Sequence, residues 1–135
     1  MQQPARGDMP ASPYKSRPGW RRVVAATAYS WAGLRAAFRH ESAFRQELAL
    51  GVPMIALAWW LAPGRWQALA LTASVVLVWI VELLNSSIEA LADTVSREAN
   101  PLIGRAKDLG SAAVMLAVVL AVLTWAVILG ALWMR

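Results

Sequence analysis

After residue 47 the chain contains three long uncharged runs: Leu48–Ala62 (15 residues), Trp66–Val81 (16) and Leu109–Met134 (26). A membrane-crossing helix needs about 20 apolar residues, with a range of about 17–25. Only the third run reaches that length alone. The first two reach it by taking in polar ends, Gln46-Glu47 before the first and Glu82–Ser87 after the second. Pro63-Gly64 between them is a turn signal, so the pattern predicts a helical hairpin. The expected spans are about 46–62, 66–87 and 109–134.

A different periodicity precedes them. From Trp20 to Arg39, at 100° per residue, Trp20, Val23, Val24, Thr27, Trp31, Leu34 and Phe38 fall within about 100° of one another. Arg21, Arg22 and Arg39 point elsewhere, while Ala25, Ala26, Ala32, Gly33 and Ala36 form a small-residue side. This is the pattern of an amphipathic helix lying in the membrane surface, whose small side lets another helix approach closely. Residues 1–19, with Pro4, Pro10, Pro13 and Pro18, read as a disordered lead without the apolar core of a signal peptide. The expectation is an all-α membrane protein: a lead at 1–19, then a single membrane domain at 20–135 with a surface helix and three transmembrane helices.

Composition strengthens the membrane reading. The chain is 59% hydrophobic and 16% charged, with no cysteine, and its mean hydropathy is +0.47, whereas soluble domains are about 45–50% apolar. Lack of cysteine excludes disulfide scaffolds and cysteine-ligated metal sites. Residues 1–45 carry eight Lys or Arg against Asp8 and Glu41. Because this basic segment precedes apolar spans, attraction to anionic lipid explains it better than nucleic acid binding, which is not expected. With the N-terminus inside, eleven basic residues face the cytoplasm and only Arg65 and Arg135 face out, which predicts a cytoplasmic N-terminus and a periplasmic C-terminus. Trp59, Trp60, Trp66 and Trp133 mark the outer interface, Trp20 and Trp31 the inner one.

The acids carry the chemistry. Glu82, Asn85, Glu89 and Asp93 stand at helical angles of about 0°, −60°, −20° and +20°, one narrow stripe at the inner end of the second span. An ionised carboxylate deep in a bilayer costs about 2.5–3.5 kcal/mol, so such a stripe has to meet cations, substrate or its own members. An Asp93–Arg97 ion pair accounts for the outermost acid. It does not account for Glu82, which has no Lys or Arg at i±3 or i±4. Two further clusters share that depth: Arg105-Ala106-Lys107-Asp108 with Ser111, and Glu41 with Arg45, Gln46 and Glu47, the latter also readable as a Glu41–Arg45 helix pair. The single histidine, His40, reads as a surface residue, Trp125 as packing in the third span, and no phosphate-loop or dinucleotide motif is present.

Four stretches, Ala28-Tyr29-Ser30-Trp31-Ala32-Gly33-Leu34-Arg35-Ala36-Ala37, Glu41-Ser42-Ala43-Phe44-Arg45-Gln46-Glu47, Glu82-Leu83-Leu84-Asn85-Ser86-Ser87-Ile88-Glu89 and Gly104-Arg105-Ala106-Lys107-Asp108-Leu109-Gly110-Ser111, strongly resemble the bacterial integral-membrane diacylglycerol kinases. The likeness runs in order from about Trp20 to Trp125. It implies a homotrimer of the inner membrane with sites shared between subunits, phosphorylating diacylglycerol to phosphatidic acid with ATP and Mg²⁺, for lipid recycling and phospholipid synthesis. By the same resemblance Glu41 and Glu89 hold the metal, Glu82 is the base on the lipid hydroxyl and Asn85 supports it. Arg22, Tyr29, Glu98, Ala99, Asn100, Lys107 and Asp108 contact the nucleotide with those two acids. Diacylglycerol lies along Arg22, Ala26, Thr27, Ala28, Tyr29, Ser30, Trp31, Arg35, Ala36, Ala37 and Phe38, then Ala43, Phe44, Arg45, Gln46 and Glu47, with Trp60, Glu82, Ser111 and Trp125.

These implied roles are physically coherent: phosphoryl transfer depends on positioning and charge neutralisation, and Mg²⁺ takes oxygen ligands. The sequence departs from the family pattern at Ala99-Asn100-Pro101, where a Tyr- or Phe-His-Glu stretch is usual, and at Ala25 and Ala32, where basic residues are common. The first departure bears on the nucleotide contacts of that loop. The rival readings are an undecaprenol kinase, from which the stretch Glu41–Glu47 argues away, a small oligomeric proton or cation transporter using Glu82 and Glu89, and a structural membrane subunit, which Glu82 disfavours.

Overall fold

The computed structural model describes residues 19–95 and 100–133. The proline-rich lead, Arg97, Glu98, Ala99 and the side chain of Trp133 lie outside the described residues. All regular structure described is helical: α1 (Gly19–His40), α2 (Ser42–Leu61), α3 (Arg65–Val95) and α4 (Pro101–Trp133). The chain divides into two units, Met1–Arg35 and Ala36–Arg135.

In the first unit, α1 shows its side chains to the surroundings along nearly its whole length. Trp20 is 70% exposed, Val23 66% and Trp31 68%. Local contacts support it: the Thr27 hydroxyl donates to the Val23 carbonyl at 2.9 Å, and the Arg21 guanidinium lies 5.6 Å from the Trp20 ring centre.

In the second unit the chain breaks at Glu41, which is extended (φ −100°, ψ 112°) and starts α2. Arg45 closes the preceding helix end. Its Nη1 donates to the carbonyls of Phe38 (3.3 Å) and Arg39 (3.2 Å), the role basic residues take where the last carbonyls of a helix lack partners. Arg45 is thus engaged on backbone, and among the described residues the alternative Glu41–Arg45 ion pair does not form. The α2–α3 connection is Ala62-Pro63-Gly64, the turn anticipated from Pro63-Gly64. At the other junction, the Asn100 side chain accepts the Leu102 N–H at 2.9 Å, with Pro101 in the first helical position, where its missing N–H matters least. α4 therefore starts eight residues before its apolar run.

Helix α3 is the central element, packed on one side by α2 and on another by α4. Its buried residues are Ala68, Leu71, Val75, Val78, Glu82, Asn85 and Ala92, with Ser74 beside them. Apart from Ser74 they alternate at spacings of three and four, with Glu89 at the remaining position. That is a heptad seam of the left-handed helix-packing type. α2 answers with Phe44, Gly51 and Ala58, seven apart. α4 answers with Gly110, Ala117 and Ala121, small residues that let helices approach.

The seam also corrects the sequence pattern. A straight helix put Asp93 in the stripe, yet Ala92 is buried and Asp93 exposed. A 3.5-residue seam drifts about 20° per heptad from the straight-helix line, and after eleven residues that drift moves Asp93 off the face.

Chemistry changes along this seam. Ala58, Leu71, Val75 and Trp125 form an apolar cluster with Met54, Ile55 and Trp79 against it. Val78, Ala117 and Ala121 form the next layer. Beyond Val78 the α3 positions become Glu82, Asn85 and Glu89. Among the described residues, α3 and the Pro101–Ala131 stretch of α4 are long and apolar enough to cross a membrane, with hydropathies of 2.0 and 2.8. α2 falls short of that standard, because Arg45, Gln46 and Glu47 occupy its first turns.

Candidate active site

Glu41 is held at the break before α2, and Glu82, Asn85 and Glu89 stand on consecutive seam positions of α3. Together with Ser42, Ala43, and Ser111 and Val114 of α4, they line a cleft of about 350 Å³. Three carboxylates share this space and no basic residue lines it. Glu82 is 5% and Asn85 8% exposed. The Asn85 Nδ2 donates to Glu89 Oε1 at 3.2 Å, while its Oδ1 is enclosed without a hydrogen-bond partner.

Two contacts lie about one turn beyond the lining residues, one on the Glu82 side, here the floor, and one on the Glu89 side, here the rim. On the floor side, the Trp79 Nε1 donates to the Glu47 carbonyl oxygen at 3.2 Å, tying α3 to α2. The Glu47 Oε2 is enclosed without a partner. At the rim, Lys107 of α4 donates to Asp93 Oδ1 at 2.6 Å. Asp93 therefore pairs with Lys107, whereas Arg97, its expected partner, lies outside the described residues.

The expected site residues separate into groups. Glu41, Ala43, Glu82, Asn85, Glu89 and Ser111 are brought together in the cleft. Lys107 is turned toward Asp93, and Asp108 is exposed on α4. Asn100, expected at the nucleotide, uses its side-chain oxygen as the α4 cap. Arg22, Ala26, Thr27, Ala28, Tyr29, Ser30, Trp31 and Arg35 belong to the first unit, all exposed along α1. Ala36, Phe38, Arg45 and Gln46 are exposed, while Ala37 and Phe44 are buried.

Trp60 and Trp125 stand apart from the cleft. Trp125 is fourteen residues beyond Ser111 on one helix, about 21 Å along its axis. It belongs to the apolar cluster with Ala58, Leu71 and Val75, with its indole nitrogen unpartnered. That agrees with its reading as a packing residue. Contact with a lipid group undergoing chemistry in the cleft is too far for it, although an acyl chain spans such a distance. Trp60 is 80% exposed at the same end of α2.

Sequence reasoning passed over Trp79, Gly51 and Gly110. A Cβ on Gly51 would stand 2.6 Å from Trp79 Cζ2 and 2.7 Å from Val75 Cγ1, and one on Gly110 would fall on the Asn85 side-chain oxygen. The seven-residue spacing of Phe44, Gly51 and Ala58 was the available signal for Gly51.

The sequence model of the prokaryotic diacylglycerol kinase family matches residues 28–129, a stretch that includes every cleft residue. The chain belongs to that family. It is 48% identical to the diacylglycerol kinase of Escherichia coli K12 over 111 residues, covering 82% of this chain and 91% of the relative. Identity to the Pseudomonas aeruginosa diacylglycerol kinase is also 48%, over 121 residues, 90% of this chain and 98% of the relative. The Haemophilus influenzae diacylglycerol kinase is 39% identical over 82% of this chain and 94% of its own. The protein is accordingly a diacylglycerol kinase, a membrane enzyme that phosphorylates diacylglycerol.

A kinase of this family has to accommodate ATP, and the chemistry of the cleft's donors suits a Mg²⁺ ion. The cleft offers only oxygen and amide donors, with the two carboxylates Glu41 and Glu89 coming from separate elements. Among the described residues no group of three or more His, Cys, Asp or Glu stands where it could hold a metal ion. Mg²⁺ is typically held by one or two carboxylates plus substrate phosphates and water, a number that Glu41 and Glu89 could supply.

Proposed function

We propose that the enzyme transfers the γ-phosphoryl group of ATP to the free hydroxyl of diacylglycerol in the cleft between α2, α3 and α4. The observation that carries this reading is the clustering of Glu41, Glu82, Asn85 and Glu89 around about 350 Å³ with no basic residue among the lining. Glu82 accepts the hydroxyl proton as the lipid oxygen bonds to phosphorus. The bond from the γ-phosphorus to the β–γ bridging oxygen breaks, and ADP leaves. Glu41 and Glu89 are the residues that hold Mg²⁺, which when bound supplies charge neutralisation for the phosphates. Asn85 orients Glu89 through its amide. Lys107, held by Asp93 at the rim, meets the nucleotide phosphates, and Asp108 contacts the nucleotide beside it; Arg22 and Tyr29 of α1 are further nucleotide contacts in this reading.

The same reading puts the enzyme in the bacterial inner membrane with α2 as a third span, α1 on the cytoplasmic surface and the assembly a homotrimer. The charge asymmetry of the chain supports the orientation and the exposed apolar stripe of α1 supports its surface position, while the homotrimer rests on the family resemblance alone. Diacylglycerol contacts the exposed residues of α1 and, in the second unit, the first turns of α2. The product, phosphatidic acid, returns to phospholipid synthesis.

Mg²⁺- and ATP-dependent phosphorylation of diacylglycerol by wild type, Glu82→Gln and Glu89→Gln tests the assignment. General-base removal costs about 10²–10⁴-fold, and a kcat loss in that range is expected for Glu82→Gln at all Mg²⁺ concentrations. For Glu89→Gln the loss should be partly relieved by raising Mg²⁺. Normal turnover in either variant removes that residue from the mechanism.

A further inference from the structure

Gly110 has no chemistry of its own, yet it stands against the residue that arranges the cleft. It is buried on α4. A Cβ there would overlap the Asn85 side-chain oxygen and lie 3.3 Å from Asn85 Cγ. The oxygen fills the room that the absent side chain leaves, enclosed and without a hydrogen-bond partner. From this seat the other end of the amide reaches Glu89 Oε1 at 3.2 Å.

Only one orientation of the amide works. Turned over, it would set its oxygen against the Glu89 carboxylate, two acceptors facing each other, and the hydrogen bond would be lost. An enclosed acceptor without a partner is unfavourable, so the arrangement persists only because the close approach of α4 and the bond to Glu89 together determine it. We propose that Gly110 is a positioning residue for metal binding: its bare Cα seats the Asn85 amide so that Nδ2 fixes the Glu89 carboxylate. The inference rests on the reading of Glu89 as a metal ligand.

The physics separates this role from a structural one. Alanine is a better helix former than glycine, and the atom it would meet is the end of a side chain that can turn away. Gly110→Ala therefore keeps the fold and loses the Asn85–Glu89 alignment. Groups that orient metal ligands typically govern about 10–100-fold in metal affinity.

The test uses the full chain in lipid nanodiscs with a non-hydrolysable ATP analogue, and Mn²⁺ binding read by electron paramagnetic resonance. Gly110→Ala should weaken Mn²⁺ at least about tenfold, and raise the Mg²⁺ half-saturation of turnover in parallel. The KM for diacylglycerol and the unfolding midpoint should not fall behind those of Gly130→Ala, a control at a glycine with nothing within 4 Å. In an Asn85→Ala background, Gly110→Ala should change Mn²⁺ binding no further, since the side chain it displaces is gone. Unchanged Mn²⁺ binding in Gly110→Ala, alongside weakened binding in Glu89→Gln, overturns the inference alone. Unchanged binding in Glu89→Gln overturns the metal-ligand reading and the inference with it. A lowered midpoint for Gly110→Ala, or a further loss in the Asn85→Ala background, assigns Gly110 to packing instead and also overturns it.

Discussion

Glu82 occupies a seam position one turn past Val78, where packing alone would favour an aliphatic side chain. It is 5% exposed, and among the described residues it takes part in no ion pair. Replacing buried ionic groups with apolar residues of similar size is often neutral or stabilising by about 1–4 kcal/mol. Glu82→Leu is therefore expected to raise the unfolding midpoint in detergent while abolishing lipid phosphorylation. A variant that is both inactive and less stable would show that Glu82 is structural. Asp93 and Lys107 present the opposite case. Their bond is short but their side chains are 69% and 38% exposed, and exposed pairs contribute little to stability. Asp93→Asn should leave the unfolding midpoint in place and raise the KM for ATP, because Lys107 is no longer held at the rim. An unchanged KM would detach the pair from nucleotide binding.

At the scale of helices, the fit of α2 on α3 depends on a large residue opposite an absent one. Trp79 lies over Gly51 and donates to the Glu47 carbonyl one turn earlier. Overpacking a close contact costs about 1–3 kcal/mol, and Gly51→Leu is expected to lose stability in that range by forcing α2 off the indole. Adding Trp79→Ala should recover part of the loss; no recovery would place the strain elsewhere. This contact was not legible in the chain read by hydropathy. Tryptophan in a membrane sequence signals an interface, and glycine carries no chemical signal. The hairpin turn at Pro63-Gly64 and the common face of Glu82, Asn85 and Glu89 were legible, since turn chemistry and helical spacing are local. Helix ends were less so. Apolar runs locate what lipid or a partner helix covers, not where the backbone stops being helical, and α4 begins at an Asn100–Pro101 cap well ahead of Leu109. The Asp93 error has a similar origin, because the drift of a supercoiled seam depends on a partner helix.

For the whole molecule the open step is how the chain crosses the bilayer, and the Cys-free sequence makes this directly measurable. α3 is 31 residues, about 46 Å at 1.5 Å per residue, longer than a hydrocarbon core of about 30 Å. Its two ends must therefore emerge on opposite sides if it spans. Basic residues crowd the chain before α2 and flank the start of α4, whereas Arg65 stands alone at the α2–α3 turn. The positive-inside rule then assigns His40 and Asn100 to the cytoplasm and Arg65 to the periplasm. All three are exposed, so His40→Cys, Arg65→Cys and Asn100→Cys can each be probed with a membrane-impermeant maleimide in spheroplasts. Arg65→Cys should label in intact spheroplasts, and the other two only after lysis. Labelling of Asn100→Cys but not Arg65→Cys would reverse the orientation. If His40→Cys and Arg65→Cys label together, α2 does not cross, and its polar first turns, Arg45-Gln46-Glu47, are what keep it out of the hydrocarbon. The expected pattern makes the same turns functional. They bring Glu41 to the depth of Glu82 and Glu89 at the cytoplasmic end of the seam, where a water-soluble nucleotide and a membrane-bound alcohol can meet.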